Sequence, residues 1–330
     1  MKLTDKKIDA LNLELTILVE KEDYSETVRK KIAQARRTAD FKGFRKGNVP
    51  ESLVRKVYGP QILVESVNEQ INKGLDEYIK SNSLNVLGEP LGSANQPEVD
   101  WVDGNDFTFV FDLGLSPEIN FDVVKEDTVN RYSITVSQKD KEPMIENLKK
   151  YYEEKKEEKS DEDIEKEVSE RLSEQHRQEA EWRLSKDIRN YFVEKAAISL
   201  PEDFLKRWLV AANDGKVSAE DVEKDFPGFA EDFKWQLVRG YLMKKYGFTV
   251  QKEDLEEAAK AYVAYQYAMY GIGNVPQEMI EEAARGVLAD RKQFANIEEQ
   301  VEDQKVLTKL KEDITIKAKR ISSEKFRELN

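Results

Sequence analysis

Leu11, Leu13, Leu15, Ile17 and Val19 are separated by Asn12, Glu14, Thr16, Leu18 and Glu20, the period of two that marks a half-buried strand. From Tyr24 the apolar positions fall instead at Val28, Ile32, Ala35 and Ala39, a helical stripe whose other faces carry basic residues. That helix is expected to end near Gly43. Pro50 suits a helix start, and Leu53, Val54 and Val57 continue as a short amphipathic turn. A separate helix is predicted from about Gln61 to Ser81, with Ile62, Leu63, Val67, Ile71, Leu75 and Ile79 on its buried side. The stretch from Asn85 to Pro97 is rich in Gly and Pro and reads as a connection. Phe107, Phe109, Phe111 and Leu113 alternate with Thr108, Val110 and Asp112 as a second strand, and Asp100 to Val102 fits the end of a preceding one. These elements make an α+β domain of antiparallel strands and helices ending near Pro117.

Tyr132, Ile134 and Val136 give one more short strand pattern, after which the chain is predicted to be almost entirely α. Lys149 to Glu170 is dominated by Lys and Glu. As a helix it needs i,i+4 pairs or neighbouring domains for order, and partial disorder is the alternative. Aromatic-rich helices are expected from Phe229 to Tyr246 and from Leu255 to Tyr270, with a break at Gly247 and a cap near Gln251. Gly271 to Pro276 forms the next break. Helices from Gln277 to Lys292 and Asn296 to Lys311 and a strand-like tail at Ile314 and Ile316 complete the pattern. No fixed-period repeat is present, which excludes a solenoid.

Composition adds that this is a surface-rich molecule. Apolar residues make up 39% of the 330 and charged residues 36%, against roughly 45–50% and a quarter in ordinary globular domains. An elongated, helix-rich shape of two or three domains fits that balance. The absence of cysteine excludes disulfides, thiol catalysis and Cys-based zinc sites. The single histidine, His176, lies in a charged stretch, is expected to be solvated, and has no metal-ligand spacing around it. No signal-like apolar region or stretch long enough for a membrane span is seen, so a soluble, cytoplasmic protein without membrane partners is expected.

The net charge of −13 argues against broad nucleic-acid binding, but it is unevenly distributed. Between Tyr24 and Tyr58 ten basic residues (Arg29, Lys30, Lys31, Arg36, Arg37, Lys42, Arg45, Lys46, Arg55, Lys56) face three acids (Glu26, Asp40, Glu51), a local +7 that leaves −20 elsewhere. One electrostatically steered surface for an anionic partner is the expectation. Within it, Gly43 and Gly47 permit a tight loop tip that presents Phe44, Arg45 and Lys46: an aromatic anchor, a guanidinium fork and a flexible point charge. From spacing alone, a core Phe44 beside a solvated turn is the competing reading.

Gly43, Phe44, Arg45, Gly47 and Pro50 match the pattern Gly-Phe-Arg-x-Gly-x-x-Pro, and the chain thereby resembles the trigger factor family of ribosome-associated chaperones. Chance agreement at five fixed positions is on the order of one chain in ten thousand. The order of elements to residue 115, including Leu87-Gly88-Glu89-Pro90, resembles the family's ribosome-binding domain, assigned here to 1–117. Leu200 to Asn330 resembles its helical, two-armed substrate-binding domain, in a style nearest the Bacteroidetes branch. The resemblance implies docking through Gly43, Phe44, Arg45, Lys46, Gly47 and Pro50 on a large-subunit protein and adjacent rRNA at the exit tunnel. It also implies a cradle for unfolded or nascent polypeptides, and a weak homodimer away from the ribosome.

The family's FKBP-like prolyl isomerase domain has no room here. Residues 118–160 are read as a linker and first element of the C-terminal domain, with the missing domain's junction near 151–161, and 161–330 as the helical chaperone domain. Isomerase activity is therefore expected to be absent, whether the short form is natural or engineered. Candidate client-binding residues are Trp208, Phe229, Phe233, Tyr262, Tyr265, Met269, Tyr270 and Ile272. Each taken singly suits core packing, but Tyr262, Tyr265 and Met269 share a helical stripe opposite Tyr267, so some must be exposed. Carboxylate pairs such as Glu281 and Glu282 read as solvated charge, and no residue is assigned a catalytic role. No phosphate loop follows Gly271 and Gly273, so ATP, cofactors and metals are not expected. A residual prolyl isomerase and a helical scaffold for one folded partner are the alternative functions.

Overall fold

A computed structural model describes every residue except Gly43, Lys46, Lys156, Asp214 and Asn330. In chain order the elements are β1 (Lys2–Lys7), β2 (Asn12–Val19), α1 (Lys21–Thr38), α2 (Glu51–Ser81), β3 (Val86–Gly92), β4 (Phe107–Leu115), β5 (Thr128–Thr135), α3 (Gln138–Lys155) and α4 (Asp161–Ala196). They continue as α5 (Glu202–Ala212), α6 (Ala219–Tyr246), α7 (Lys252–Met269), α8 (Gln277–Ala289), α9 (Arg291–Asp313), β6 (Thr315–Ser322) and α10 (Ser323–Arg327). Two compact units result: Met1–Glu118 with Ser199–Ala230, and Ile119–Ile198 with Glu231–Asn330.

The first unit is built on an antiparallel sheet of order β1-β2-β4-β3. Leu15, Ile17 and Val19 pair with Phe111, Phe109 and Phe107, so the two alternating apolar runs share one face. Against that face α1 brings Tyr24, Val28 and Ile32, and α2 brings Val54, Leu63, Val67 and Ile71, in a single core. The opposite face receives α5. Gly114 of β4 leaves room for Phe204, whose ring would lie 2.4 Å from any Cβ there, and Gly88 of β3 admits the Trp208 indole.

One strand in this unit was missed and three expectations are corrected. β1 is a strand although Lys2–Lys7 lacks alternation, because a solvated edge strand needs ladder hydrogen bonds to β2 and no buried face. β3 crosses the stretch read as a connection. It is an edge strand whose pairing with β4 shifts between Leu87 and Leu91, and Pro90 sits in that irregularity, where a missing N–H is tolerated. Asp100 to Val102 is not a strand. Finally, α2 runs unbroken through Pro60. The lost hydrogen bond costs about 3 kcal/mol, less than the burial of Ile62, Leu63, Val67 and Ile71 beyond it, each worth about 1.5–3 kcal/mol.

The second unit pairs β5 with β6 in parallel, Thr128 opposite Thr315 through Thr135 opposite Ser322. Its main core joins Leu184, Ile188 and Phe192 of α4, Trp235, Val238 and Leu242 of α6, and Val306, Leu307 and Leu310 of α9. Asp303 of α9 lies at the margin of this core, accepting hydrogen bonds from Trp235 Nε1 at 2.7 Å and from Arg189 at 2.6 Å. The Lys/Glu-rich stretch is not disordered: α3 and α4 form a hairpin with its own small core of Leu148, Tyr152, Ile164, Val168 and Leu172. Helices α7 and α8 pack through Ala259, Val263 and Ala284. Helix α6 passes through Pro227 and starts ten residues earlier than the pattern from Phe229 indicates.

Candidate docking loop and apolar surfaces

The chain between α1 and α2 is anchored at both ends and open at its tip. Ala39 and Val49 are buried, Val49 completely. Phe41 is half-buried and meets Tyr58 of α2 edge-on at 5.8 Å. Two turns shape the tip, with the Phe44 amide donating to the Phe41 carbonyl at 3.0 Å and the Asn48 amide to the Arg45 carbonyl at 2.9 Å. Phe44 is 43% exposed and Arg45 is also exposed. Gly47 has φ +83° with nothing near its Cβ position, so backbone angle rather than space calls for glycine. Pro50 is the exposed N-cap position of α2, its carbonyl accepting from Leu53 and Val54. Gly43 and Lys46 lie outside the described residues.

The basic surface is narrower than the sequence count implies. Lys30 pairs with Glu26 at 2.9 Å, Lys31 with Glu69 at 2.6 Å, and Arg55 with Glu51 at 2.8 Å and Asp103 at 3.4 Å. Glu69 and Asp103 come from outside the basic window, which is why the count missed them. Arg36 donates from Nε to the Val49 carbonyl at 2.8 Å. Among the described residues, Arg29, Arg37, Lys42, Arg45 and Lys56 keep side-chain charges with no ion pair or hydrogen bond. These cations and the Phe44 ring are what the loop region offers a partner.

The apolar candidates divide. Trp208, Phe229 and Phe233 are half-buried, Trp208 against Gly88. Tyr262 is half-buried too, packed with Tyr267 on the α7–α8 core. Tyr265 is 63% exposed, Met269 68%, Tyr270 79% and Ile272 51%. Tyr262, Tyr265 and Met269 do share a stripe, within about 60° of one another on α7, and it runs from the core margin at Tyr262 into water at Tyr265 and Met269. The buried arc of α7 is centred on Ala259 and Val263; at about 100° per residue Tyr262 and Tyr267 flank it on either side and Tyr265 points away. Met279 of α8 is exposed as well. Sequence reading passed over it, although Met279 between Glu278 and Glu281 interrupts the start of the helix with an unpartnered apolar residue.

Two concave sites lie elsewhere in the second unit. His176 is buried, not solvated, on the inward face of α4, beside a cavity of about 480 Å³ that also meets Asp140, Glu179, Trp182 and Phe326. Asp140 is held at a pKa of about 2 by hydrogen bonds from the Ser137 hydroxyl and amide and from Ser323. A larger groove, about 670 Å³, lies between α7 and α9, floored by Ala258, Ala261 and Val301 and edged by Asp254, Lys305 and Lys309. Among the described residues no cluster of metal-ligating side chains occurs, and no helix is long and apolar enough to cross a membrane.

Comparison with known proteins gives the chain's family. The family model described as bacterial trigger factor protein matches residues 1–148, and that described as probable trigger factor, C-terminal domain, matches 180–330. The trigger factor of Psychrobacter arcticus is 35% identical over 156 residues, 47% of this chain and 33% of that protein. That of Coxiella burnetii is 30% identical over 149 residues, 45% of this chain and 33% of its own length. The match thus spans about a third of the length of these relatives. A solved structure described as "Promiscuous Substrate Recognition in Folding and Assembly Activities of the Trigger Factor Chaperone" shares the fold, with a TM-score of 0.53 at 13% identity over 94% of this chain and 99% of the other.

Proposed function

The chain belongs to the trigger factor family, and from that premise we propose that it is an ATP-independent chaperone that docks on the large ribosomal subunit at the exit tunnel and shields unfolded or nascent segments. The observation that carries the docking half is the loop tip: Phe44 and Arg45 exposed on a loop whose flanks are buried, among unpaired cations on an otherwise acidic chain. A rigidly based aromatic beside a guanidinium supplies an anchor for an apolar pocket and a fork for phosphate or carboxylate. The site so read is Gly43, Phe44, Arg45, Lys46, Gly47 and Pro50, facing an exit-tunnel protein and the rRNA beside it.

Client holding rests on the α7–α8 end, where Tyr265, Met269, Tyr270, Ile272 and Met279 leave apolar area in water. A flexible, thioether- and tyrosine-rich surface suits weak capture of varied segments, with release by exchange rather than hydrolysis. Trp208, Phe229, Phe233 and Tyr262, all half-buried, are secondary to it in this reading. We read the protein as cytoplasmic and as working without prolyl isomerase chemistry. In support, residues 149–179, between the two family matches, belong to the α3–α4 hairpin, whose core is small and self-contained. Replacing Tyr265, Met269 and Tyr270 together by Ser should leave the fold intact and weaken suppression of aggregation of a denatured test protein severalfold, measured by light scattering without ATP. Undiminished suppression would remove this surface from the account.

A further inference from the structure

By sequence Arg36 is one of ten cations in a basic stretch, and its neighbour Arg37 has no side-chain partner among the described residues. The structure separates the two. Arg36 stands in the last turn of α1, and its Nε donates to the carbonyl of Val49 at 2.8 Å. Val49 is fully buried and precedes Pro50, the cap of α2. Its carbonyl lies outside the helix ladder, whose first acceptors belong to Pro50. Residues 39–50 link the two helices, a length at which a loop without internal anchors samples many conformations. Its entry is fixed by Ala39 and by Phe41 on Tyr58, and its exit by Val49 and the Arg36 hydrogen bond.

We infer that Arg36 is a positioning residue for the docking loop: it acts through the Val49 carbonyl to hold the descending limb, and so the Phe44–Arg45 tip, in a binding-ready arrangement. The inference rests on the docking role proposed above. A positioned loop loses less conformational freedom on binding, so the effect appears in affinity although Arg36 need not touch the partner. Lysine discriminates this role from one of charge. In arginine the donor Nε occupies the position that Cε, a methylene, takes in lysine, so Arg36→Lys keeps the charge and removes the donor at the place where the Val49 carbonyl needs it.

The test uses the full chain titrated with isolated bacterial ribosomes at several salt concentrations, comparing wild type, Arg36→Lys, Arg37→Lys and Phe44→Ala/Arg45→Ala. The expected result is about threefold to tenfold weaker binding for Arg36→Lys, the size of an ordinary net hydrogen-bond contribution, with the salt slope unchanged because no charge has been lost. Arg37→Lys should bind as wild type. In the free protein the amides of Phe44 and Asn48 should exchange faster in Arg36→Lys by a larger factor than the core amides of Leu63 and Val67, a change that neither a surface charge nor a general stability defect produces. Wild-type affinity and exchange for Arg36→Lys, with Phe44→Ala/Arg45→Ala impaired, would overturn the positioning role and leave the docking loop standing. Undiminished binding of Phe44→Ala/Arg45→Ala would overturn the docking role and the inference together.

Discussion

His176 occupies a place where an aliphatic residue would serve. It is buried between Leu172 and Ala180 on the inward face of α4, and its Nδ1 has no hydrogen-bond partner among the described residues. A buried polar atom without a partner costs about 1–3 kcal/mol, whereas an apolar side chain of similar size loses nothing there. His176→Leu should therefore raise stability by about 1 kcal/mol, read as a higher urea midpoint with an unchanged slope; a lower midpoint would show that the imidazole contributes a contact of its own. The same residue shows how local reading fails. Its neighbours Gln175 and Arg177 are exposed, and proximity in sequence to charged residues says nothing about which face of a helix a side chain occupies.

At the scale of elements, α4 explains that failure. Its buried residues, Ile164, Val168, Leu172, His176, Ala180, Leu184, Ile188 and Phe192, recur at every fourth position. Four residues turn through about 400°, so the stripe drifts about 40° per step and winds through roughly 280° over the helix. No single face of the helical wheel is apolar, and the segment reads as uniformly charged, yet Ile164, Val168 and Leu172 pack on α3 at one end and Leu184, Ile188 and Phe192 in the main core at the other. Where alternation or a stripe stayed on one face, as in β2, β4 and α1, the elements were legible from the residues. The strands that were missed, β1 and β3, lie at the sheet edges, where polar side chains and Pro90 cost little.

Helix α2 was read as a short turn after Pro50 and a separate helix from about Gln61, and the break between them falls at Pro60. Pro60 is exposed, so Pro60→Ala should restore one backbone hydrogen bond without disturbing the core and stabilise the protein by about 1–3 kcal/mol, checked by thermal or urea unfolding. Asp140 gives the pH counterpart. It receives hydrogen bonds from Ser137 at the start of α3 and from Ser323 of α10. With its pKa lowered from the ordinary 3.8 to about 2, the carboxylate contributes stability that is complete above about pH 4 and is lost as pH falls towards 2. The stability gap between wild type and Asp140→Asn should accordingly be constant from pH 7 to about pH 5 and close between about pH 4 and 2. A gap that persists unchanged at low pH would assign the effect to packing instead.

For the molecule as a whole, charge is the informative property. The chain carries net −13, yet residues 24–58 hold a local +7, and Arg29, Arg37, Lys42, Arg45 and Lys56 there have no ion pair among the described residues. The docking loop was legible in the sequence because the Gly-Phe-Arg-x-Gly-x-x-Pro pattern fixes its conformation and its chemistry at once. Its supports were not, since Arg36 reads as one more cation and Val49 as one more loop residue until their contact is seen. The apolar end of α7 and α8 was half legible: four of the exposed residues were named, while Tyr262 is half-buried at the core margin and Met279 was overlooked. The most direct measurement of the central claim is ribosome co-sedimentation of wild type and Phe44→Ala/Arg45→Ala/Lys46→Ala at near-physiological salt. Co-sedimentation of the wild type and its loss in the triple variant, with aggregation suppression by the free protein retained, is the predicted result. Equal co-sedimentation of the two proteins would contradict the account.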